Sequence, residues 1–334
     1  MSSSCPSKAH LLATAMIEIG ISGCDNLRAA ELVRVLINHP DVELKWVTGR
    51  CDAGTRLDHI VPGIMGESDL TVNPEGPLGD VDLVFMCGCR DKFQQQFLSL
   101  DLKDDTKVVD LSGYHNLDHG ADKPWTYGLG EMQRRILVHD ANLVTLPGNA
   151  AIASLLALMP MARNLLLNSP ITLHVAMGAT AFPEADGKTT DGYDVAQWTK
   201  EQQQEIDLAL HQCQTSFDQP INLTITPLAE KRTLAVEARI NCGIDEEMVR
   251  QLYEQYYSDH NFVFLVDRPI VPADVENTNK CLIRLEKDER KGLLTVHAMM
   301  DVLLKGCAGT AVHAMNLLFG LHERVGLTLK ATGC

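Results

Sequence analysis

The sequence predicts an α/β fold: an N-terminal parallel sheet covered by helices, then an α+β unit with a mostly antiparallel sheet, and a C-terminal helix that returns to the first sheet. Three observations predict it. In the first half, short and almost continuously apolar runs alternate with helical stretches, the pattern of strands buried on both faces of a parallel sheet. After Ser169, six strand-like runs are interrupted by only two helices. The last apolar helical stretch has no strand after it, so its partner must lie earlier in the chain.

The elements follow in order. Residues 16–21 (MIEIGI) read as a buried strand and 27–38 as a helix, with Leu32, Val33, Leu36 and Ile37 at helical spacing. Residues 43–48 (ELKWVT) and 81–86 (VDLVFM) are the next strands; a polar helix at 91–98 leads to strands at 107–111 (KVVDL) and 142–145. Pro147-Gly148-Asn149 then precedes a long apolar helix, 150–167. Strands are expected at 171–177, 222–226, 234–240, 262–266, 280–286 and 293–298, with helices at 195–214 and 246–256 and a final helix at 302–321. There is no internal repeat and no low-complexity segment.

The chain has 334 residues, 45% hydrophobic and 22% charged, enough for about two domains with their own cores. With 29 Lys+Arg against 44 Asp+Glu the net charge is −15, which argues against a broad nucleic-acid-binding face. It leaves room for one basic pocket that takes a phosphorylated small molecule. Ten cysteines are scattered singly, apart from Cys87 and Cys89, and frame no short loops. They read as reduced thiols of a cytoplasmic protein rather than a secreted disulfide scaffold. No apolar run reaches the length needed to span a bilayer. Residues 1–15 are too weakly patterned for a signal peptide and read as a flexible tail.

A strand, a glycine turn and a helix open a Rossmann-type, dinucleotide-binding unit. Gly20 and Gly23 stand where backbone must approach a pyrophosphate, and Asn26 takes the third position. After the second strand, Thr48-Gly49-Arg50 places a guanidinium where NAD-specific proteins usually carry an acidic residue, which favours NADP. Residues 16–148 with 301–334 are therefore expected to form the dinucleotide-binding domain, and 149–300 the α+β domain.

At this point the chain resembles the N-acetyl-γ-glutamyl-phosphate reductases of arginine biosynthesis, relatives of the aspartate-semialdehyde dehydrogenases. The resemblance runs from Met16 to about Lys330. It rests on AELVRVLINHP (30–40), VVDLSGYH (108–115), YGLGEMQR (127–134), LPGNAAIASLLALMPMARNLLLN (146–168) and ITPLAEKRTLAVEARI (225–240). Its strongest parts are NTNKCLIRLEK (277–287) and DVLLKGCAGTAVHAMNLLFGLHERVGLTLK (301–330). The resemblance implies a reaction in which a cysteine thiolate attacks an acyl phosphate and NADPH reduces the thioester to a semialdehyde. It also implies homo-oligomers, an acyl-amino-acid phosphate as ligand, and Lys305 and Gly306 near the cofactor.

Several positions depart from that pattern. Where the family has its cysteine after Pro-Gly, this chain has Asn149, whose delocalised amide cannot form a thioester. Asn149 can alternatively be read as a helix cap. The histidine segment before Pro-Glu-Ile is matched by Gln202, Gln203 and Gln204, which do not exchange protons near neutral pH. A Ser-Thr-Gly-Ala-Gly loop is matched by Ala179-Thr180-Ala181-Phe182-Pro183, a histidine by Leu228, and an asparagine near the nicotinamide by Val302. Cys24, Cys87 and Cys89 are candidate substitute nucleophiles, each also readable as a small buried or loop residue. His115 and His119 near the cysteine pair lack the spacing of a zinc site, and His297 and His313 read as packing residues. The leading expectation is a reductase-fold relative that has lost the thioester step, retaining a binding role or assembling with an active homologue. The alternative is an NADP-dependent oxidoreductase that uses a relocated group.

Overall fold

The computed structural model describes residues 16–76, 78–119, 123–181 and 195–331; the expected tail at 1–15 lies outside them. The first sheet begins with β1 (Ile17–Ser22), whose Ile19 and Ile21 are fully buried, followed by helix α1 (Leu27–Leu36). β2 (Val42–Thr48), a single-turn α2 (Leu57–Ile60) and β3 (Val72–Asn73) extend it to one side. β4 (Leu83–Met86), α3 (Phe93–Ser99), β5 (Lys107–Asp110), β6 (Trp125–Tyr127), α4 (Gly130–His139) and β7 (Leu143–Thr145) extend it to the other. All seven strands are parallel, in the order β3-β2-β1-β4-β5-β7-β6. The direction of winding reverses between β1 and β4, so a crevice opens there at the carboxyl edge of the strands. Two strands absent from the sequence expectation, β3 and β6, have two and three residues. Neither is long enough to display a period of its own; pairing with β2 and β7 makes them strands.

Helix α5 (Asn149–Arg163) connects the two sheets, and every residue from Ala150 to Ala162 is buried. It ends before the expected 167 because Leu165 takes a left-handed φ of 59°. The second sheet contains β8 (Ile171–Met177), then, after α6 (Val195–Cys213), β9 (Ile221–Pro227) and β10 (Thr233–Asn241). After α7 (Glu246–Tyr257) come β11 (Val263–Leu265), β12 (Cys281–Asp288) and β13 (Leu293–Asp301). The order is β11-β12-β13-β10-β8-β9, antiparallel at its three inner pairs and parallel at the two outer ones. One face packs on α5, α6 and α7. The opposite face carries His174, Glu237, Arg284 and His297 around a groove of about 310 Å³.

The final apolar stretch does return to the first sheet, but not as one helix. Residues Leu304–Ala308 form a π-helical turn before α8 (Gly309–Leu318), which packs on α1 and α4 and joins the core of β1, β4 and β5. Ahead of this turn, Asp301 Oδ1 accepts the N–H groups of Leu303 and Leu304 at 2.8 and 2.9 Å. The other end stops at Gly320, φ 65°. Arg232 holds this junction to the first sheet: its Nε lies 2.9 Å from Asp301 and its Nη2 2.8 Å from Glu31 of α1.

Candidate functional site

At the end of β1 the chain turns through Gly23, φ 84°, where a side chain would meet the Gly88 backbone at 2.6 Å. Thr48 shapes this turn: its carbonyl accepts the N–H groups of Gly23 and Cys24 at 3.0 and 2.7 Å. Its hydroxyl is also 3.2 Å from the Gly23 nitrogen. Asn26 is the N-cap of α1, accepting from Ala29 N–H at 3.0 Å, while its amide donates to the carbonyls of Gly23 and Cys87. Gly20 requires a correction. It sits inside β1 beneath the Trp46 indole, which a Cβ would overlap, so packing accounts for it and not a phosphate. The motif thus shifts by three residues, to Gly23, Asn26 and the fully buried Ala29, which packs the first turn of α1 onto the sheet. Arg50, past the end of β2, lies 3.0 Å from Asp25 of the same turn.

Beyond this edge a cavity of about 650 Å³ lies between the strand ends, the start of α5 and one face of α6. Asn149 stands at its foot as the first residue of α5. It does not cap the helix: Gly148 is the N-cap, and no side chain caps it. With its amide nitrogen facing the π turn, Asn149 donates to the carbonyls of Gly306 at 2.5 Å and Val302 at 3.3 Å. The opposite orientation would press its oxygen against those carbonyls for one 3.4 Å contact to Ala181, so the first is the stable one. Gly306 leaves room for this carboxamide, since a Cβ there would lie 2.6 Å from it.

Of the three glutamines, only Gln202 faces the cavity; it is 6% exposed, whereas Gln203 is half-buried and Gln204 exposed. Beside it is a residue that sequence reasoning passed over. Glu205, 1% exposed, accepts from Tyr127 Oη (2.8 Å) and Gly148 N–H (2.9 Å) through Oε1, and from Asn116 (3.2 Å) through Oε2. Burial pushes its pKa up to about 7, while those donors and the Arg90 charge pull the other way. The sequence signals were its helical spacing from Gln202 and its place, with Ile206, on the Glu-Ile of the family's Pro-Glu-Ile, inside a polar run that otherwise reads as a solvated face.

Lys305 is a second correction: it does not reach the cavity. Its amine is fully buried 2.6 Å from Glu131, and that charge holds Glu131, despite burial, down at about 2. Val302 is fully buried at the cavity wall, and Leu228 N–H bonds Met177. Phe182 and Pro183 lie outside the described residues.

Burial raises the Cys24 thiol to about 12 and the Cys87 thiol well above its ordinary value. Cys89 lines the cavity half-buried, and Cys307, not singled out from the sequence, lines it with its thiol raised to about 11 by burial. His115 stacks on Trp125 and pairs with Asp110 at 3.2 Å. His119 stacks on Tyr127, and burial lowers it to about 4. His313 pairs with Glu323 at 2.7 Å and His297 with Glu286 at 3.3 Å. Among the described residues no three metal-ligating side chains cluster, and no helix is long and apolar enough to cross a membrane.

Residues 18–139 match the family described as semialdehyde dehydrogenase, NAD binding domain, and residues 150–301 its dimerisation domain. An N-acetyl-gamma-glutamyl-phosphate reductase of Parabacteroides distasonis is 36% identical over 322 residues, 94% of this chain and 99% of that protein. One from Christiangramia forsetii is 33% identical over 327 residues, covering 95% and 99%. Among solved structures, aspartate semialdehyde dehydrogenase II of Vibrio cholerae, complexed with ASA, superposes with a TM-score of 0.72 at 15% identity, covering 92% of this chain and 99% of that one. Aspartate semialdehyde dehydrogenase of Candida albicans, with NADP, gives 0.69 at 12% identity, covering 91% and 99%.

Proposed function

The chain belongs to the N-acetyl-γ-glutamyl-phosphate reductase family of semialdehyde dehydrogenases, and from that premise we propose that it has given up the thioester step and kept a ligand-binding cavity. One observation carries this reading. At the start of α5, where attack on an acyl phosphate needs a thiol, the carboxamide of Asn149 is bound to the Gly306 and Val302 carbonyls. An amide nitrogen has no free lone pair with which to form an acyl-enzyme. Gln202 at its side cannot relay protons near neutral pH. Nor do the buried thiols of Cys24, Cys87 and Cys307 replace it, because each is raised far from the thiolate range.

The edge of the first sheet fits a dinucleotide, and NADP in particular. Gly23 and Gly88 bring backbone close together at the turn. Arg28, in the first turn of α1, reaches the cavity with one nitrogen on the Leu111 carbonyl, 3.1 Å away, and makes no ion pair among the described residues. A partly buried guanidinium of this kind suits a phosphate. Gly23, Asn26 and Arg28 would hold the pyrophosphate, and Arg50, once exchanged from Asp25, the 2′-phosphate. Bound NADPH would supply hydride. The chain would assemble in the cytoplasm as a homo-oligomer, with an acyl-amino-acid phosphate or an analogue as ligand. Residues 16–148 with 301–334 would form one domain and 149–300 the other.

A second reading, an active NADP-dependent oxidoreductase with a relocated nucleophile, is favoured by one observation only: Cys89 is the half-buried thiol at the cavity. Purified protein incubated with NADPH and N-acetyl-γ-glutamyl phosphate is expected to oxidise no NADPH above the protein-free rate, while NADP titrated by calorimetry gives heat. Turnover would overturn the first reading, and an acyl adduct mapped to Cys89 would establish the second. No heat at millimolar NADP would remove the cofactor from both.

A further inference from the structure

Arg28 and Arg90 both line the cavity, and they are held differently. Arg28 rests on a backbone carbonyl, as described. Arg90, just beyond β4, reaches across the cavity mouth to α6, where its Nη1 lies 2.7 Å from Glu201 Oε2. The other oxygen of Glu201 accepts from Gln197 Nε2 at 3.1 Å. The Arg90 and Glu201 side chains are 42% and 24% exposed, so water competes for both and their attraction is weak.

Holding the two sheets together does not depend on this pair. The more buried Arg232, between Glu31 of α1 and Asp301 at the end of β13, also links them. A solvated ion pair across a cavity mouth can be opened at little cost by an incoming oxyanion. The exchange replaces one carboxylate on Arg90 with another acidic group, and Glu201 keeps Gln197 as a partner.

We propose that Arg90 anchors the acidic group of the cavity's ligand, a small carboxylate or phosphate, and that Glu201 is the internal anion which occupies Arg90 until the ligand arrives. The proposal rests on the reading of the cavity as a ligand site without the thioester step. It assigns the cavity two cationic ends, Arg28 for the phosphates of a dinucleotide and Arg90 for the second ligand. It also makes Glu201 a determinant of affinity although it need not touch the bound ligand.

Calorimetric titration of the full chain with N-acetyl-L-glutamate and with inorganic phosphate tests this. Wild type is expected to bind at least one probe, and the lower dissociation constant tells a carboxylate site from a phosphate site. Glu201→Gln should tighten that binding about two- to fivefold, the equivalent of one exposed ion pair. Arg90→Gln should weaken it about tenfold or more, as expected for loss of a charged hydrogen bond. The exchanged pair, Arg90→Glu with Glu201→Arg, keeps the cross-mouth contact and so the fold, yet should bind no better than Arg90→Gln. Unchanged affinity in either single variant, or no heat from either probe with wild type, overturns the proposal. Those results leave the functional reading standing as long as NADP binds and NADPH turnover stays absent on the same preparations.

Discussion

Replacing Glu205 with glutamine should remove a specific part of the pH dependence of stability. In the native chain this carboxyl is 1% exposed and burial raises its pKa from an ordinary 4.5 to about 7. A raised carboxyl pKa means that the native state holds the proton more tightly than the unfolded chain does. The stabilisation is therefore complete below the unfolded value of 4.5 and is lost as the pH rises through the folded value of about 7. The shift corresponds to about 3 kcal/mol, at about 1.4 kcal/mol per pH unit. The Glu205→Gln side chain is neutral throughout and lacks that slope. Urea unfolding of both proteins from about pH 5 to about pH 8, with the variant subtracted to cancel the histidines, should display most of it. Wild type is expected to lose ground steadily over this interval, levelling off above the folded pKa. A difference constant to within about 0.5 kcal/mol, or one that grows in favour of wild type as pH rises, would refute the reasoning about this carboxyl.

Other substitutions report on other parts of the structure. Gly20→Ala drives a methyl into the Trp46 ring and should cost about 1–3 kcal/mol in urea unfolding, with Trp46→Leu in the same chain recovering most of the loss. Lys305→Met leaves the Glu131 carboxylate buried without a cation and should cost about 3–5 kcal/mol at neutral pH; adding Glu131→Gln should restore stability, because the pair is then removed rather than broken. Arg232→Met takes the cation from buried Asp301, while Glu31 keeps Arg34 at 2.6 Å, and should lower the melting temperature by several degrees, measurable by calorimetry. Asn149→Cys returns a thiol to the start of α5. With Gln202 still in place it should acquire alkylation by iodoacetamide in the cavity but no NADPH turnover, read by mass spectrometry and absorbance.

The strands of the second sheet could be placed in the sequence to within a few residues because one face of each is buried against a helix and the other is not. β10, for example, alternates through Val236, Ala238 and Ile240. Helix α5 was legible for the opposite reason, since it is apolar all round and could only be central. What escaped notice was set by distant partners. β6 exists through β7, α4 begins at Gly130 with no polar cap, and the last helix opens with a π turn at Leu304–Ala308. The site followed the same division. Asn149 and Gln202 were found by position along the chain. The demotion of Gly20, the withdrawal of Lys305 and the prominence of Glu205 depend on Trp46, Glu131 and Tyr127, which are remote in sequence.

The return of α8 has a consequence for how the chain is made. The core of the first sheet includes Ile19, Leu32 and Phe85 together with Ala311, Val312 and Met315, so its last components are synthesised only after the whole second sheet. At about 5–20 residues per second, the ribosome takes roughly ten to thirty seconds to add the second sheet between them. Throughout that interval the surface that α8 will cover is open, and the nascent N-terminal half cannot reach its final stability alone. The second sheet, contiguous from β8 to β13, can mature first. Ribosome stalling or truncation shortly before α8 would release a chain with one finished half and one exposed apolar surface, a substrate for chaperones and for aggregation.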